Sequence, residues 1–180
     1  MNPPRLSLER VHEASGIIDP IFLDTPQFVS EPLGDTLGVR ITLKVETLNP
    51  VRSFKGRGAD FLVSTLKDVQ PAPQLVCASA GNFGQAVAYS ARKHGLPLTV
   101  YAADNANPLK VARMRALGAT VRLKGEDFDA AKLAAKAFAR ETGARMLEDS
   151  LNPETAEGAG TMGLELLTLE DVPEVLLIPL

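Results

Sequence analysis

Two short segments carry side chains with the potential for chemistry, and the first surrounds Lys55. Residues 53–59 read Ser-Phe-Lys-Gly-Arg-Gly-Ala and lie at the predicted start of a helix. The positive end of the helix dipole and the nearby Arg57 both disfavour a second cation there. They therefore favour the neutral lysine amine, the form that Schiff-base chemistry requires. A surface lysine that happens to fall near a helix start has the same local sequence, so this segment alone leaves both interpretations open.

The second segment spans residues 79–84, Ser-Ala-Gly-Asn-Phe-Gly, between a predicted strand and a predicted helix. Small residues let the backbone approach a ligand closely, and the free N–H groups at a helix start bind a carboxylate or phosphate. The side chains of Ser79 and Asn82 add hydrogen-bonding groups. An ordinary capped turn has a similar composition. No G-x-G-x-x-G follows a strand in this chain, which disfavours a Rossmann-like nucleotide binder.

The elements that position these segments alternate regularly from about Arg40 onward. The predicted strands are 40–44, 74–78, 98–102, 120–123, 145–147 and 174–179. The predicted helices are 53–66, 82–94, 108–117, 128–142 and 153–169. Alternation of this kind predicts an α/β fold with a parallel sheet and helices on both faces. The first forty residues, interrupted by Pro20, Pro26 and Pro32, are expected to be irregular.

Composition places the chain among ordinary globular proteins. It has 180 residues, 45% apolar and 23% charged, with a net charge of −3 and no basic run, so no nucleic-acid partner is expected. The single cysteine, Cys77, excludes an internal disulfide and fits a reducing compartment. No secretory signal and no apolar stretch of membrane-spanning length is present, and His12 and His94 have no ligand-like neighbours. We therefore expect a cytoplasmic protein with no membrane contact and no metal site.

In their order and spacing, these segments resemble the threonine/serine dehydratase (ammonia-lyase) family of fold-type-II pyridoxal-phosphate enzymes. Residues 44–59, which include Ser-Phe-Lys-Gly-Arg-Gly-Ala, are similar to the lysine motif of that family. Residues 79–88 are similar to its asparagine loop, and residues 107–121 to the helix and strand that follow. A later Gly-x-Gly-Thr segment is matched by residues 158–161. The resemblance implies the N-terminal half of a tryptophan synthase β-like fold, incomplete at the C-terminus.

The resemblance implies pyridoxal 5'-phosphate as the cofactor and Lys55 as the catalytic residue that holds it. Phe54 would pack on the cofactor ring, and Asn82 would bond its phenolic oxygen. The substrate-binding residues implied by the family are Ser79, Ala80, Gly81, Asn82 and Phe83.

The implied reaction is β-elimination from a hydroxyamino acid such as threonine or serine, which yields a 2-keto acid and ammonia. Phe54 before the lysine, with Gly56-Arg57-Gly58-Ala59 after it, is the dehydratase pattern rather than that of cysteine synthases. Serine racemase-like activity is an alternative, disfavoured by Ala80, because racemases carry there a second serine that donates a proton. Phe83 stands where many dehydratases have histidine, which leaves the substrate preference open.

The resemblance also implies a division into domains. Residues 1–72 would form the N-terminal part of a large domain that includes the lysine helix, and residues 73–147 a small parallel α/β domain. Residues 148–180 would return into the large domain. Glu46 and Arg57 are candidate structural partners.

In the family, the loop that binds the cofactor phosphate and the partner of the pyridine nitrogen would both follow Leu180. We therefore expect the 180-residue chain alone to lack appreciable lyase activity. Its expected partners are a small amino-acid substrate and either further copies of itself or a missing C-terminal half. The alternative from another class is a non-catalytic fragment or one half of a split protein.

Overall fold

A computed structural model describes residues 5–178, which contain helices on both sides of a parallel sheet. The helices are α1 (Leu8–Ile17), α2 (Glu31–Leu37), α3 (Lys55–Ser64), α4 (Asn82–Lys93), α5 (Pro108–Ala116), α6 (Phe128–Thr142) and α7 (Pro153–Leu166). The strands are β1 (Gln27–Val29), β2 (Thr42–Lys44), β3 (Leu75–Ala78), β4 (Leu98–Ala102), β5 (Thr120–Leu123) and β6 (Arg145–Leu147). These bounds agree with the sequence prediction to within a few residues over 74–147.

The central sheet has the strand order β5-β4-β3-β6, and each neighbouring pair is parallel. In the middle strand, Cys77 lies opposite Val100 of β4 and opposite Leu147 of β6. The predicted α/β class with a parallel sheet is therefore confirmed. Because β3 and β6 are direct neighbours, the loops that follow them leave the same edge of the sheet side by side.

The sheet is covered on both faces, as the alternation of its side chains requires. Cys77 and Val100 pack in one apolar cluster with Val87 of α4 and Met114 of α5. Val76, the neighbour of Cys77 in the same strand, belongs instead to a second cluster with α6. Successive side chains of a strand point to opposite faces, so α4 and α5 cover one face and α6 covers the other.

The thiol of Cys77 should be unreactive while the protein is folded. The residue is fully buried, and burial raises the pKa of its thiol to about 12. Since the thiolate is the nucleophile, almost none is present at pH 8. Ellman's reagent should therefore titrate no thiol in the native protein and one thiol per chain in guanidinium chloride. Rapid reaction of the native protein would contradict this burial.

The N-terminal segment is more regular than its prolines suggested, and the expectation that the first forty residues are irregular is wrong. Pro20 begins a short 3-10 turn, Pro20–Phe22, and Pro32 lies in the first turn of α2. Proline is tolerated at both places because the N–H that it lacks has no partner in a first helical turn. Ser7 caps α1 through a hydrogen bond from the backbone N–H of Arg10 at 3.4 Å.

The strand predicted over 174–179 does not form in residues 174–178, and Pro179 lies outside the described residues. The apolar side chains of Val175 and Leu177 are 74% and 88% exposed. A strand requires a neighbour for its backbone N–H and C=O groups, and no strand among residues 5–178 lies alongside this segment to supply one.

No helix within residues 5–178 combines the length and the apolar character that crossing a membrane requires.

Candidate active site

The backbone that leads into Lys55 is held by a buried asparagine. The side chain of Asn49 accepts hydrogen bonds from the N–H groups of Val51 (3.1 Å) and Ser53 (3.3 Å) and donates to the carbonyl of Ser53 (3.1 Å). Lys55 then begins α3, two residues after the predicted helix start at 53, and Phe54 occupies the cap position. Ser53 still contributes, since its hydroxyl accepts from the N–H of Lys55 at 3.3 Å. The first turn around Lys55 is therefore fixed from the N-terminal side.

Two residues further along α3, a buried ionic cluster surrounds Arg57. The fully buried guanidinium donates to both carboxylate oxygens of Glu46, at 2.8 and 3.0 Å, and to Glu165 at 2.9 Å. It also donates to the hydroxyls of Thr25 (3.1 Å) and Thr161 (3.0 Å). Glu46 was named from the sequence as a candidate partner, whereas Glu165, in α7, was missed. These hydrogen bonds link α3 to α7, to Thr25 just before β1 and to Glu46 just after β2.

The charges in this cluster stabilise one another. Burial alone would lower the pKa of Arg57, but hydrogen bonds to Glu165 and Glu46 outweigh it and raise that pKa above its ordinary value. Burial likewise would raise the pKa of Glu165, and hydrogen bonds from Arg57 and Lys44 reverse the direction and lower it. Arg57 and Glu165 are therefore both charged near neutral pH.

Helices α3 and α7 cross at a pair of glycines. A Cβ atom on Gly58 would lie 2.2 Å from the carbonyl oxygen of Thr155, and one on Gly158 would lie 2.7 Å from the Cα of Gly58. Both obstacles are backbone atoms, so no side-chain movement relieves them. The close crossing brings the start of α7 next to Lys55.

The loop after β3 is held by Ser79. Its hydroxyl accepts hydrogen bonds from the N–H groups of Gly81 (3.1 Å) and Gly84 (2.9 Å), so it serves as a cap for α4. Asn82 at the start of α4 is exposed, whereas Phe83 is buried. Ala80 and Gly81 between them are half-buried.

A cavity of about 260 Å³ lies where α3, α4 and α7 begin. The residues that line it include Phe54, Lys55, Gly58, Phe83, Asp149 and Thr155. Of the residues named from the sequence, the structure thus brings Phe54, Lys55 and Phe83 together on one cavity. Ser79, Ala80, Gly81 and Asn82 are not among its lining residues.

The amine of Lys55 has an acidic partner within this cavity. Its Nζ lies 2.8 Å from Oδ2 of Asp149 and 4.7 Å from the centre of the Phe54 ring. Sequence reasoning missed Asp149. The available signal was its position just beyond the predicted strand 145–147, since ligands of parallel sheets bind beyond the carboxyl ends of strands.

Comparison with known protein families matches residues 18–180 to the family described as pyridoxal-phosphate dependent enzyme. The chain belongs to this family. The cofactor of the family is pyridoxal phosphate, as the resemblance implied, and the α/β fold-type-II architecture is confirmed with it.

Curated relatives of the chain include several whose names refer to threonine, and two of them serve as examples. L-threonine ammonia-lyase of Thermotoga maritima is 36% identical over 170 residues, which cover 94% of this chain and 42% of that protein. The putative threonine dehydratase of Sinorhizobium fredii is 33% identical, with 96% of this chain and 52% of that protein covered. The chain therefore spans about half the length of these relatives.

Solved structures of the family show the same fold. The structure of maize serine racemase superposes with a TM-score of 0.85 at 28% identity, covering 91% of this chain and 50% of that one. The processed form of threonine deaminase isoform 2 from Solanum lycopersicum gives a TM-score of 0.80 at 29% identity, covering 92% and 47%.

The residues on the cavity fit the family's cofactor. Lys55 presents a primary amine, the group that condenses with an aldehyde. Phe54 and Phe83 supply apolar ring surface beside this amine, and Gly58, which has no side chain, leaves space for the cofactor ring. The aldehyde group and the apolar faces of the pyridoxal ring thus each have a counterpart among these residues.

Proposed function

We propose that the complete protein deaminates a hydroxyamino acid such as threonine or serine, with Lys55 as the residue that binds pyridoxal phosphate. The observation that carries the proposal is the Lys55 amine on a cavity shared with Phe54 and Phe83, in a chain whose relatives are named for threonine deamination. Because the chain spans about half the length of those relatives, the proposal concerns the complete protein and not these residues alone.

When bound, pyridoxal phosphate acts as an electron sink that stabilises negative charge at the α-carbon of an amino acid. Lys55 would hold it covalently through Nζ. Once displaced by the substrate amine, the free and neutral Lys55 amine would take the α-proton at that same atom. Phe54, whose ring centre lies 4.7 Å from the Lys55 Nζ, would pack on the cofactor ring. Asn82 would donate a hydrogen bond to the phenolic oxygen of the cofactor.

The substrate carboxylate would bind at the start of α4. The first N–H groups of a helix have no partner within it, and here these include the N–H groups of Asn82 and Phe83. Ser79 accepts from Gly81 and Gly84, so its hydroxyl hydrogen stays available to donate to an anion. Ala80 and Gly81 place no large side chain in the path of the carboxylate.

The division into domains belongs to the same proposal. The four-stranded sheet and the helices between its strands lie within residues 75–147. Helices α3 and α7, on either side of that stretch in sequence, pack against each other. This arrangement supports a small domain at 73–147, with residues 1–72 and 148–180 belonging together in a larger one.

The test is an assay of the product of the complete reading frame that contains these 180 residues. With pyridoxal phosphate, it should release 2-keto acid and ammonia in equal amounts from L-threonine or L-serine. Chiral analysis of unreacted serine should find little D-serine, because Ala80 provides no hydroxyl to donate a proton. Interconversion of the serine enantiomers without keto-acid release would overturn the deamination proposal in favour of racemisation.

A further inference from the structure

Asp149 has no part in the function proposed above, yet it is the acidic partner of Lys55. Its Oδ2 lies 2.8 Å from Nζ, within salt-bridge and hydrogen-bond distance. Among the described residues that line the cavity, Lys55 and Asp149 are the only two that carry a charge. Both side chains are only about one-third exposed, so the pair lies largely inside the cavity wall.

The turn that carries Asp149 is held firmly in place. The next residue, Ser150, has a φ of 63°, a left-handed conformation that a non-glycine residue adopts at an energetic cost. Its N–H donates to the hydroxyl of Thr155 at 3.1 Å, and the N–H of Glu148 donates to the Asn152 side chain at 2.8 Å. These bonds hold the backbone on both sides of Asp149 and thereby aim its carboxylate.

We propose that Asp149 is a positioning residue for Lys55, which rests on the proposed role of Lys55 as the cofactor lysine. A lysine amine ends a flexible four-carbon stem and samples many rotamers when nothing holds it. The Asp149 carboxylate accepts a hydrogen bond from an N–H of the amine, which a neutral amine also donates, and so holds it on the cavity whenever that amine is not bound to the cofactor. During turnover this keeps the released amine beside the reacting carbon, where proton transfer depends on a correct distance.

The pairing itself is tested by competitive acetylation of the 180-residue chain with trace acetic anhydride at pH 8. Asp149→Asn removes the carboxylate that pairs with the amine and holds it, so Lys55 should react about two- to fivefold faster, with exposed Lys67 as the internal reference. Asp149→Glu should stay close to the wild type. The matched control is Glu148→Gln, which changes the net charge equally but alters a carboxylate that pairs with Lys132 and Lys136.

The positioning role is tested in the complete protein by steady-state kinetics. Asp149→Asn should lower kcat on the order of tenfold and change KM little, because the position of the amine matters most in the transition state. Asp149→Glu should recover part of the loss, which a general packing role would not predict. Unchanged acetylation of Lys55, or unchanged kcat, in Asp149→Asn would overturn the inference.

These outcomes separate the inference from the proposed function. If Lys55 takes up pyridoxal phosphate but Asp149→Asn behaves as the wild type, only the role of Asp149 fails. If the acetylation rate changes as expected but pyridoxal phosphate attaches to another lysine, the pairing stands, and the proposed function and the positioning role built on it both fail.

Discussion

Replacement of Arg57 by methionine should lower the free energy of unfolding by about 3–5 kcal/mol. The guanidinium is fully buried and pairs with the carboxylates of both Glu46 and Glu165, so its removal leaves Glu46 without a cation and Glu165 with Lys44 alone. Urea unfolding followed by circular dichroism at pH 7 measures the change. Arg115→Met, at an exposed position, is the matched control and should cost no more than about 1 kcal/mol.

The effect of Arg57→Met should depend on pH in a defined direction. Glu165 has a folded-state pKa below the ordinary value of 4.5, so its contribution to stability is present above that value and is lost as pH falls through the folded pKa. The stability difference between wild type and variant should therefore shrink below pH 4.5, and a constant difference would contradict the ionic account of the cluster.

Replacement of Lys55 by alanine should abolish most of the turnover of the complete protein while leaving its fold intact. Loss of a group that transfers a proton costs roughly 10²–10⁴-fold in rate, and loss of the covalent attachment adds to that. Stability should change by less than about 1 kcal/mol, because the ion pair with Asp149 is partly exposed.

The control for this variant is Lys67→Ala, an exposed lysine just beyond the other end of α3. It should keep the wild-type rate. Turnover by Lys55→Ala near the wild-type rate would show that a different residue carries the chemistry.

Residues 74–147 were well predicted because each element carries its own local signal. Asn107 caps α5 through bonds from the N–H groups of Leu109 and Lys110, and Gly143 ends α6 in a left-handed conformation. Such caps and the apolar periodicity act over a few residues, so they can be read from sequence.

The elements that were missed depend on distant partners or on context. β1 is too short to give a periodic signal, and it exists through antiparallel pairing of Phe28 with Leu43. Pro20 and Pro32 were taken as interruptions, whereas each stands in a first helical turn. The apolar pattern over 174–178 indicated a strand, but no neighbouring strand in the described residues pairs with it.

The residues of the candidate site were likewise predicted where a local motif marks them and missed where the pairing is with a distant residue. Lys55 and Phe83 were named from their motifs, and the structure places both on one cavity. Asp149 and Glu165 were not named, since their partners Lys55 and Arg57 lie about one hundred residues earlier in the chain. Pairings over such separations are set by the packing of α3 on α7, which no local pattern records.

Locating the lysine that binds pyridoxal phosphate tests the role of Lys55 most directly. The chain has eight lysines, which makes the site of attachment informative where colour alone is not. The complete protein is incubated with stoichiometric pyridoxal phosphate and reduced with borohydride. It is then digested, and the labelled peptides are mapped by mass spectrometry. The pyridoxyl label should lie predominantly on Lys55 and should be lost from that peptide in Lys55→Ala. Predominant labelling of another lysine, with Lys55 unmodified, would contradict the proposed role of Lys55.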